Sequence, residues 1–124
     1  MGATKLDGAG SVKMATLEEA LTILQRVHGL VEQAALAEKN GKSTSIFGLQ
    51  IRRMAEPMVG KLKGSFGMVA DQVSQLILAG TRGGNEKAKV RGLQAQVGLI
   101  RTSIDMMRNK VKDQHSVAIE ISPD

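Results

Sequence analysis

The sequence feature that most constrains the fold is an apolar seam along residues 85–113. Its members recur at alternating steps of three and four, as one face of a long helix requires, and are Val90, Leu93, Val97, Ile100, Ile104, Met107 and Val111. Asn85 is a favourable N-cap residue, and Glu86 places a carboxylate in the first turn, where the helix dipole favours negative charge. A seam of this length must be buried, so the helix needs partner helices from its own chain or from another copy.

The composition describes a small domain with a core of aliphatic side chains and methionine. The 124 residues are 42% apolar but only 2% aromatic, and Phe47 and Phe66 are the two aromatic residues. Cysteine is absent, which excludes disulfides, thiolate nucleophiles and cysteine metal sites and fits a cytoplasmic location. No apolar run approaches the roughly 20 residues that span a bilayer, so the sequence predicts a soluble protein without a membrane span.

Three further helices are indicated before the seam. Thr16 and Glu19 form a capping-box pattern, which predicts a first helix from residue 16 to about residue 40. A second helix follows residues 43–45 and continues past Pro57, where a kink is expected. Asp71 is expected to cap a shorter third helix that ends at Gly80.

Short connections between the four helices predict antiparallel neighbours. We therefore expect an all-α protein, an antiparallel up-and-down four-helix bundle over residues 16–113. Residues 1–15 show no apolar period, and a flexible N-terminal tail is expected there. Residues 114–124 are expected to form a flexible C-terminal tail, because no second strand is evident to pair with the alternating Val117, Ile119 and Ile121.

Three glycines, Gly60, Gly64 and Gly67, lie within eight residues around the end of the second helix. Because a helical glycine costs about 0.5–1 kcal/mol relative to alanine, this cluster indicates that another surface approaches the backbone closely. That surface is either a neighbouring helix of the bundle or a partner protein. The same region is basic, since five Lys and Arg residues between positions 41 and 69 oppose a single acid, Glu56.

The sequence contains no arrangement of residues typical of an enzyme. Residues 41–43 read Gly-Lys-Ser, like the end of a phosphate-binding loop, but the glycine required five residues earlier is Leu36. His28 and His115 are the two histidines, and they do not form a metal-binding pair on one helix turn. We expect His28 to border the core and His115 to be exposed in the tail. The sequence therefore predicts a non-catalytic protein without a metal site or a cofactor.

Residues 61–69 read Lys-Leu-Lys-Gly-Ser-Phe-Gly-Met-Val, and this segment resembles the signature of histidine phosphotransfer domains, including those of chemotaxis kinases. In that family a phosphorylated histidine is followed, after one residue, by Leu-Lys-Gly-Ser on the second helix of an antiparallel four-helix bundle. The resemblance implies that Lys63 lies where the family's lysine approaches the phosphoryl group. It also implies that Gly64 lies where the family's glycine lets a receiver domain reach the histidine.

This chain departs from the family pattern at two positions. The phosphorylatable histidine is replaced by Gly60, and a glycine usual in the family is replaced by Ala70. The resemblance therefore implies a degenerate phosphotransfer-like domain that binds or scaffolds partners without carrying phosphate at the usual place.

The leading hypothesis is a non-catalytic helical interaction or scaffold module, similar to a phosphotransfer signalling adaptor. It would bind a protein partner with an acidic surface, such as a receiver domain, because the predicted surface is cationic. The residues predicted to form this surface are Arg53, Gly60, Lys61, Lys63, Gly64 and Gly67.

Two alternatives concern the fourth helix. In the first, the helix binds nucleic acid through phosphate contacts from Lys87, Arg91, Arg101 and Arg108, although the scarcity of aromatic residues disfavours base stacking. In the second, the protein is a homodimeric building block whose seam pairs across a two-fold axis. Leu99 and Met106 favour this dimer, because they widen the apolar face beyond what a single bundle needs.

Overall fold

The computed structural model of the protein describes residues 4–118. Four helices account for most of this range: α1 (Gly8–Lys39), α2 (Ser45–Lys63), α3 (Gly67–Thr81) and α4 (Glu86–His115). Two three-residue strands, β1 (Thr4–Leu6) and β2 (Ser116–Ala118), precede and follow them. The prediction of an all-α four-helix bundle is confirmed.

The four helices pack in a ring. α1 lies against α2 and α4, and α3 lies against the same two helices on the other side of the core. The connections are short, at residues 40–44, 64–66 and 82–85, so sequential helices run antiparallel. None of the described helices combines the length and the apolar composition needed to cross a membrane.

The seam of α4 is covered by its own chain. Its members Val90, Leu93, Val97, Ile100, Ile104 and Val111 are buried, and Met107 is partly buried against the same core. Side chains from all four helices meet there, and Phe66 lies among them at the α2–α3 connection. Burial within one chain removes the seam from water, so the seam itself is not free to pair across a two-fold axis, and the homodimer stays a prediction.

α2 and α3 cross at two glycines. Gly48 and Gly80 are both buried, and a Cβ added at Gly48 would lie 2.8 Å from the carbonyl carbon of Gly80 and closer still to its oxygen. Only a residue without a side chain leaves room for the Gly80 backbone at this distance. The sequence does not indicate this crossing, because Gly48 and Gly80 lie on different helices and meet only after these have packed.

α1 begins eight residues earlier than expected. Its N-cap is Asp7, whose Oδ1 accepts a hydrogen bond of 2.6 Å from the amide of Gly10. Thr16 is inside the helix, where its hydroxyl donates to the carbonyl of Val12 at 3.1 Å. Because the glycines at positions 8 and 10 have poor helix propensity, local sequence favours a helix start at the capping pattern of residue 16.

The described parts of the two expected tails pair with each other. β1 and β2 are antiparallel, with Lys5 opposite Val117, and the amide of Asp7 donates to the carbonyl of His115 at 2.9 Å. The structure thus differs from the expectation of flexible segments over residues 1–15 and 114–124, because each strand supplies the missing partner of the other. Residues 1–3 and 119–124, including Ile119 and Ile121, lie outside the described part of the chain.

One other helix boundary differs from the sequence-based prediction. α3 begins at Gly67, so Asp71 lies inside the helix and does not cap it. α2 has Thr44 at its N-cap position, within residues 43–45 as expected, and continues through Pro57 to Lys63.

Candidate functional site

The glycines at the end of α2 are open to solvent. Gly60, Gly64 and Gly67 are exposed, and a Cβ added at any of them would meet nothing within 4 Å in the described structure. A neighbouring helix of the same chain is therefore not the surface that approaches them. None has a positive φ, so the backbone conformation does not require glycine at these positions either.

The cations around these glycines differ in their pairing. Lys61 forms an ion pair with Glu19 of α1, with both side chains about half exposed. Arg53 and Lys63 are exposed and form no salt bridge with any residue in the range 4–118. Lys61 therefore ties α2 to α1, and the free positive charge of this surface comes from Arg53 and Lys63.

Helix geometry arranges these residues around one outward face of α2. Arg53, Gly60 and Gly64 follow at steps of seven and four, which places them in one column. Lys61 falls on the flank next to α1, where it meets Glu19, and Lys63 falls on the opposite flank. These residues therefore extend over the last three turns of α2, and Gly67 follows at the start of α3. We define the α2 surface as Arg53, Gly60, Lys61, Lys63, Gly64 and Gly67.

Exposed apolar side chains border the α2 surface. Ile46 and Leu49 lie on the outer side of α2 with 59% and 52% of their surface exposed, and Met68, beside Gly67, is 52% exposed. The sequence did not predict these residues as part of a site. Their signal in the sequence is weak, because an isolated apolar residue on a helix exterior is common.

The basic residues of α4 are also only partly free. Arg108 is engaged by α1 and by its own helix, at 2.8 Å from Glu18 and 3.7 Å from Asp105. Within the described part of the chain, Lys87, Arg91 and Arg101 form no salt bridge. Arg108 is therefore unavailable as the fourth member of a free phosphate-binding stripe.

The structure adds one cation to this stripe. A groove of about 480 Å³ lies between the end of α1 and the start of α4. Its lining contains three cations and one acid, and consists of Ala35, Glu38, Lys39, Lys87, Val90, Arg91 and Gln94. Lys39 lies 48 positions before Lys87 in the sequence, so its membership follows from the antiparallel packing of α1 on α4 alone.

A second polar cluster joins the two ends of the described chain. The ring of His115 places Nδ1 3.2 Å from Asp7 Oδ1 and Nε2 3.2 Å from the Nζ of Lys13. The hydrogen bond from Gly10 and the nearby His115 lower the pKa of the Asp7 carboxyl. The His115 side chain is only 17% exposed, so the expectation of an exposed tail residue is wrong. Both ring nitrogens have partners within the protein, so this cluster joins the start of α1 to the end of α4.

A third polar contact fastens the α1–α2 loop to α4. The carboxylate of Glu86 accepts hydrogen bonds from the hydroxyl and the amide of Thr44, a residue that is completely buried. The hydroxyl hydrogen bond is the largest cause that lowers the pKa of Glu86. Glu86 thus stabilises the bundle end through a tertiary contact in addition to its place in the first turn of α4.

His28 contacts an acidic residue of its own helix. His28 is partly exposed, and its Nε2 lies 3.5 Å from Glu32 Oε1 on the next turn of α1. Across residues 4–118, no three His, Asp or Glu side chains gather in a group that could hold a metal ion.

In comparisons with known proteins, no family model, no curated protein and no solved structure matches this chain.

Proposed function

We propose that this chain is a non-catalytic helical interaction module that docks an acidic protein partner on the α2 surface. The observation that carries the proposal is the exposure of Gly60, Gly64 and Gly67, with open space where each side chain would be. A mid-helix glycine lowers helix stability by about 0.5–1 kcal/mol, and neither packing nor backbone conformation explains Gly60. Close approach by a partner backbone supplies the missing reason.

The charges select the kind of partner. Arg53 and Lys63 remain unpaired in the described structure, and they stand beside a glycine column that leaves the helix backbone accessible. Unpaired cations around an accessible helix favour association with a surface of opposite charge and raise its rate. A receiver domain, which presents an acidic pocket, has the required charge.

The resemblance to phosphotransfer domains supports the same assignment. The matching segment begins in the last turn of the second helix of a four-helix bundle, the helix that carries the motif in that family. Its residues 64–66 form the α2–α3 connection, where Gly64 is accessible. Gly60 occupies the position of the phosphorylated histidine, so we propose an adaptor that holds a receiver-like partner without exchanging phosphate with it. The absence of cysteine agrees with a role in the reducing cytoplasm.

The proposal is tested by reversing the two free charges. Arg53→Glu combined with Lys63→Glu leaves the Lys61 ion pair with Glu19 intact, so the fold should be unaffected. The partner is first captured with the wild-type chain, then purified, and its affinity for each variant is measured by calorimetry. We expect an acidic partner whose affinity falls at least tenfold with the double variant.

A matched control reverses two free charges on another helix. Arg101→Glu combined with Lys112→Glu makes the same change in net charge on α4 and should leave the affinity for this partner unchanged. Equal losses with both double variants would show a general charge effect and would refute docking at the α2 surface.

Substitution of Gly60 separates binding from stability. Gly60→Gln adds a good helix former into open space, so the free energy of unfolding should rise while partner affinity falls. A Gly60→Gln variant that binds the partner as well as the wild type would remove the observation on which the proposal rests.

The basic groove at Lys39, Lys87 and Arg91 favours nucleic-acid binding as a second candidate function. Phosphate contacts release counterions, so the affinity for duplex or single-stranded DNA should fall steeply as salt increases. Lys39→Gln combined with Lys87→Gln should reduce the salt dependence, whereas Lys110→Gln combined with Lys112→Gln should change it less. A salt-independent or immeasurable affinity would eliminate this candidate.

A further inference from the structure

α4 carries a second apolar stripe on the side opposite its buried seam. The members of this outer stripe recur at alternating steps of four and three, are all exposed, and are Ala88, Gly92, Ala95, Leu99, Thr102 and Met106. Leu99 and Met106 keep 48% and 57% of their surface exposed. The Thr102 hydroxyl donates to the carbonyl of Gly98 at 3.1 Å, so its polar group is already satisfied within the helix. In residues 4–118, α4 packs on α1 and α3. Ala88 and Gly92 also line a pocket together with Ala79 and with Arg82 and Gly83 of the α3–α4 connection.

We propose that a second copy of this chain covers the outer stripe, with the two α4 helices antiparallel and the two-fold axis level with Val97. Small residues occupy the first half of the stripe and larger residues the second half. An antiparallel arrangement therefore places a larger side chain of one copy against a small one of the other in every layer. The layers pair Leu99 with Ala95, Thr102 with Gly92, and Met106 with Ala88.

The charges beside the outer stripe agree with this arrangement. It sets Arg91 next to Asp105 of the second copy, and the symmetry repeats the pair on the same flank. Arg91 has no salt bridge in the described structure, and the Asp105 side chain is 57% exposed and 3.7 Å from Arg108. Gly98 of each copy faces Gly98 of the other near the axis. In the single chain, a Cβ added at Gly98 would meet nothing within 4 Å. The dimer thereby gives a reason for two exposed glycines, at positions 92 and 98, in the middle of α4.

Other arrangements of the two helices fit less well. Moving the antiparallel axis to lie between Ile100 and Arg101 would place the polar Asn109 and Asp113 against Gly92 and Ala88. A parallel pair would place Leu99 on Leu99 and Gly92 on Gly92, which crowds one half of the interface and leaves a gap in the other. The antiparallel pair about Val97 keeps the interface apolar and evenly filled.

The first test is the mass in solution. Light scattering over a concentration series should approach twice the 13.2 kDa mass of the chain for the wild type. Leu99→Glu should remain a monomer over the same series, because it buries a charge in the central layers. Gly92→Leu should also dimerise less although it favours the helix, since it fills the space that Thr102 of the second copy requires. Leu36→Glu is the matched control: Leu36 is 61% exposed on α1, and this variant should dimerise like the wild type.

The second test uses cysteines to determine the direction of the helices. The chain has no cysteine, and residues 92 and 102 of one helix are about 15 Å apart, too far for a disulfide within one copy. Oxidation of Gly92→Cys combined with Thr102→Cys should give covalent dimers, while Thr102→Cys alone should give few. A wild type that stays monomeric, a dimer that survives Leu99→Glu, or equal cross-linking of Thr102→Cys alone would each overturn the proposed arrangement.

Discussion

Replacement of Gly48 by alanine should destabilise the bundle strongly, because the added methyl group has no space at the α2–α3 crossing. Its Cβ would lie 2.8 Å from the carbonyl carbon of Gly80, whereas carbon atoms in contact normally lie about 3.5–4.0 Å apart. The two helices must therefore separate by roughly 1 Å, and both obstructing groups are backbone. Overpacking of this kind costs about 1–3 kcal/mol, and we expect a value near the upper end.

Part of that cost is offset by the better helix propensity of alanine. Subtracting about 0.5–1 kcal/mol leaves a net loss of about 2 kcal/mol in the free energy of unfolding. For a domain of this size the melting temperature should fall by roughly 10 °C. The measurement is guanidinium and thermal unfolding followed by circular dichroism, at one fixed protein concentration so that any association affects all variants equally.

Gly60→Ala is the matched control for Gly48→Ala. The same atom is added to the same helix, but the site is open, so the free energy of unfolding should rise by about 0.5–1 kcal/mol. The two variants should therefore shift in opposite directions from the wild type. A Gly48→Ala variant as stable as Gly60→Ala would refute the close crossing of α2 and α3.

Three further predictions concern the core and the two polar contacts. Phe66→Ala should lower the free energy of unfolding by about 3–5 kcal/mol, measured by urea denaturation, because a buried aromatic side chain leaves a cavity. Thr44→Val should lower stability at neutral pH by removing the hydrogen bond that lowers the pKa of Glu86. Because the pKa of Glu86 is lower in the folded than in the unfolded state, the contact stabilises the fold at pH values above the unfolded pKa. The stability difference between Thr44→Val and the wild type should therefore shrink as the pH falls through the folded pKa. A stability difference that stays constant would contradict this cause. Asp7→Ala should increase amide hydrogen exchange in the first turn of α1, above all at Gly10, because the N-cap hydrogen bond from the Gly10 amide to the Asp7 side chain is lost. Unchanged exchange at Gly10 would contradict the capping role of Asp7.

The α2 surface and the outer stripe were each only partly predictable from sequence. The glycines and lysines at positions 60–67 are neighbours along the chain, so their grouping follows from helix geometry. The ion pairs of the cations do not follow from local sequence. Lys61 pairs with Glu19 and Arg108 pairs with Glu18, and both acids lie on α1, which is distant in sequence from either cation. Which cations remain free is a property of the packed bundle.

The positions of the helix ends were also predictable from the sequence only in part. The seam from Val90 to Val111 predicted α4 and its burial, because helical periodicity is a local property that any partner helix can satisfy. The start of α1 depends on Gly10, where an added Cβ would lie 3.1 Å from Asp7 Oδ1 and closer to His115. No local pattern indicates a contact between residues more than 100 positions apart.

By itself, the sequence determined that four amphipathic helices must bury one core, since the spacing of apolar residues and the short connections leave few other arrangements. Only the tertiary structure decided that the chain ends pair as β1 and β2, that Gly48 meets Gly80, and that the glycines of the α2 surface are open. The physical reason is that periodicity acts between neighbours on one helix, whereas steric fit and charge pairing act between groups that meet only after the helices have packed.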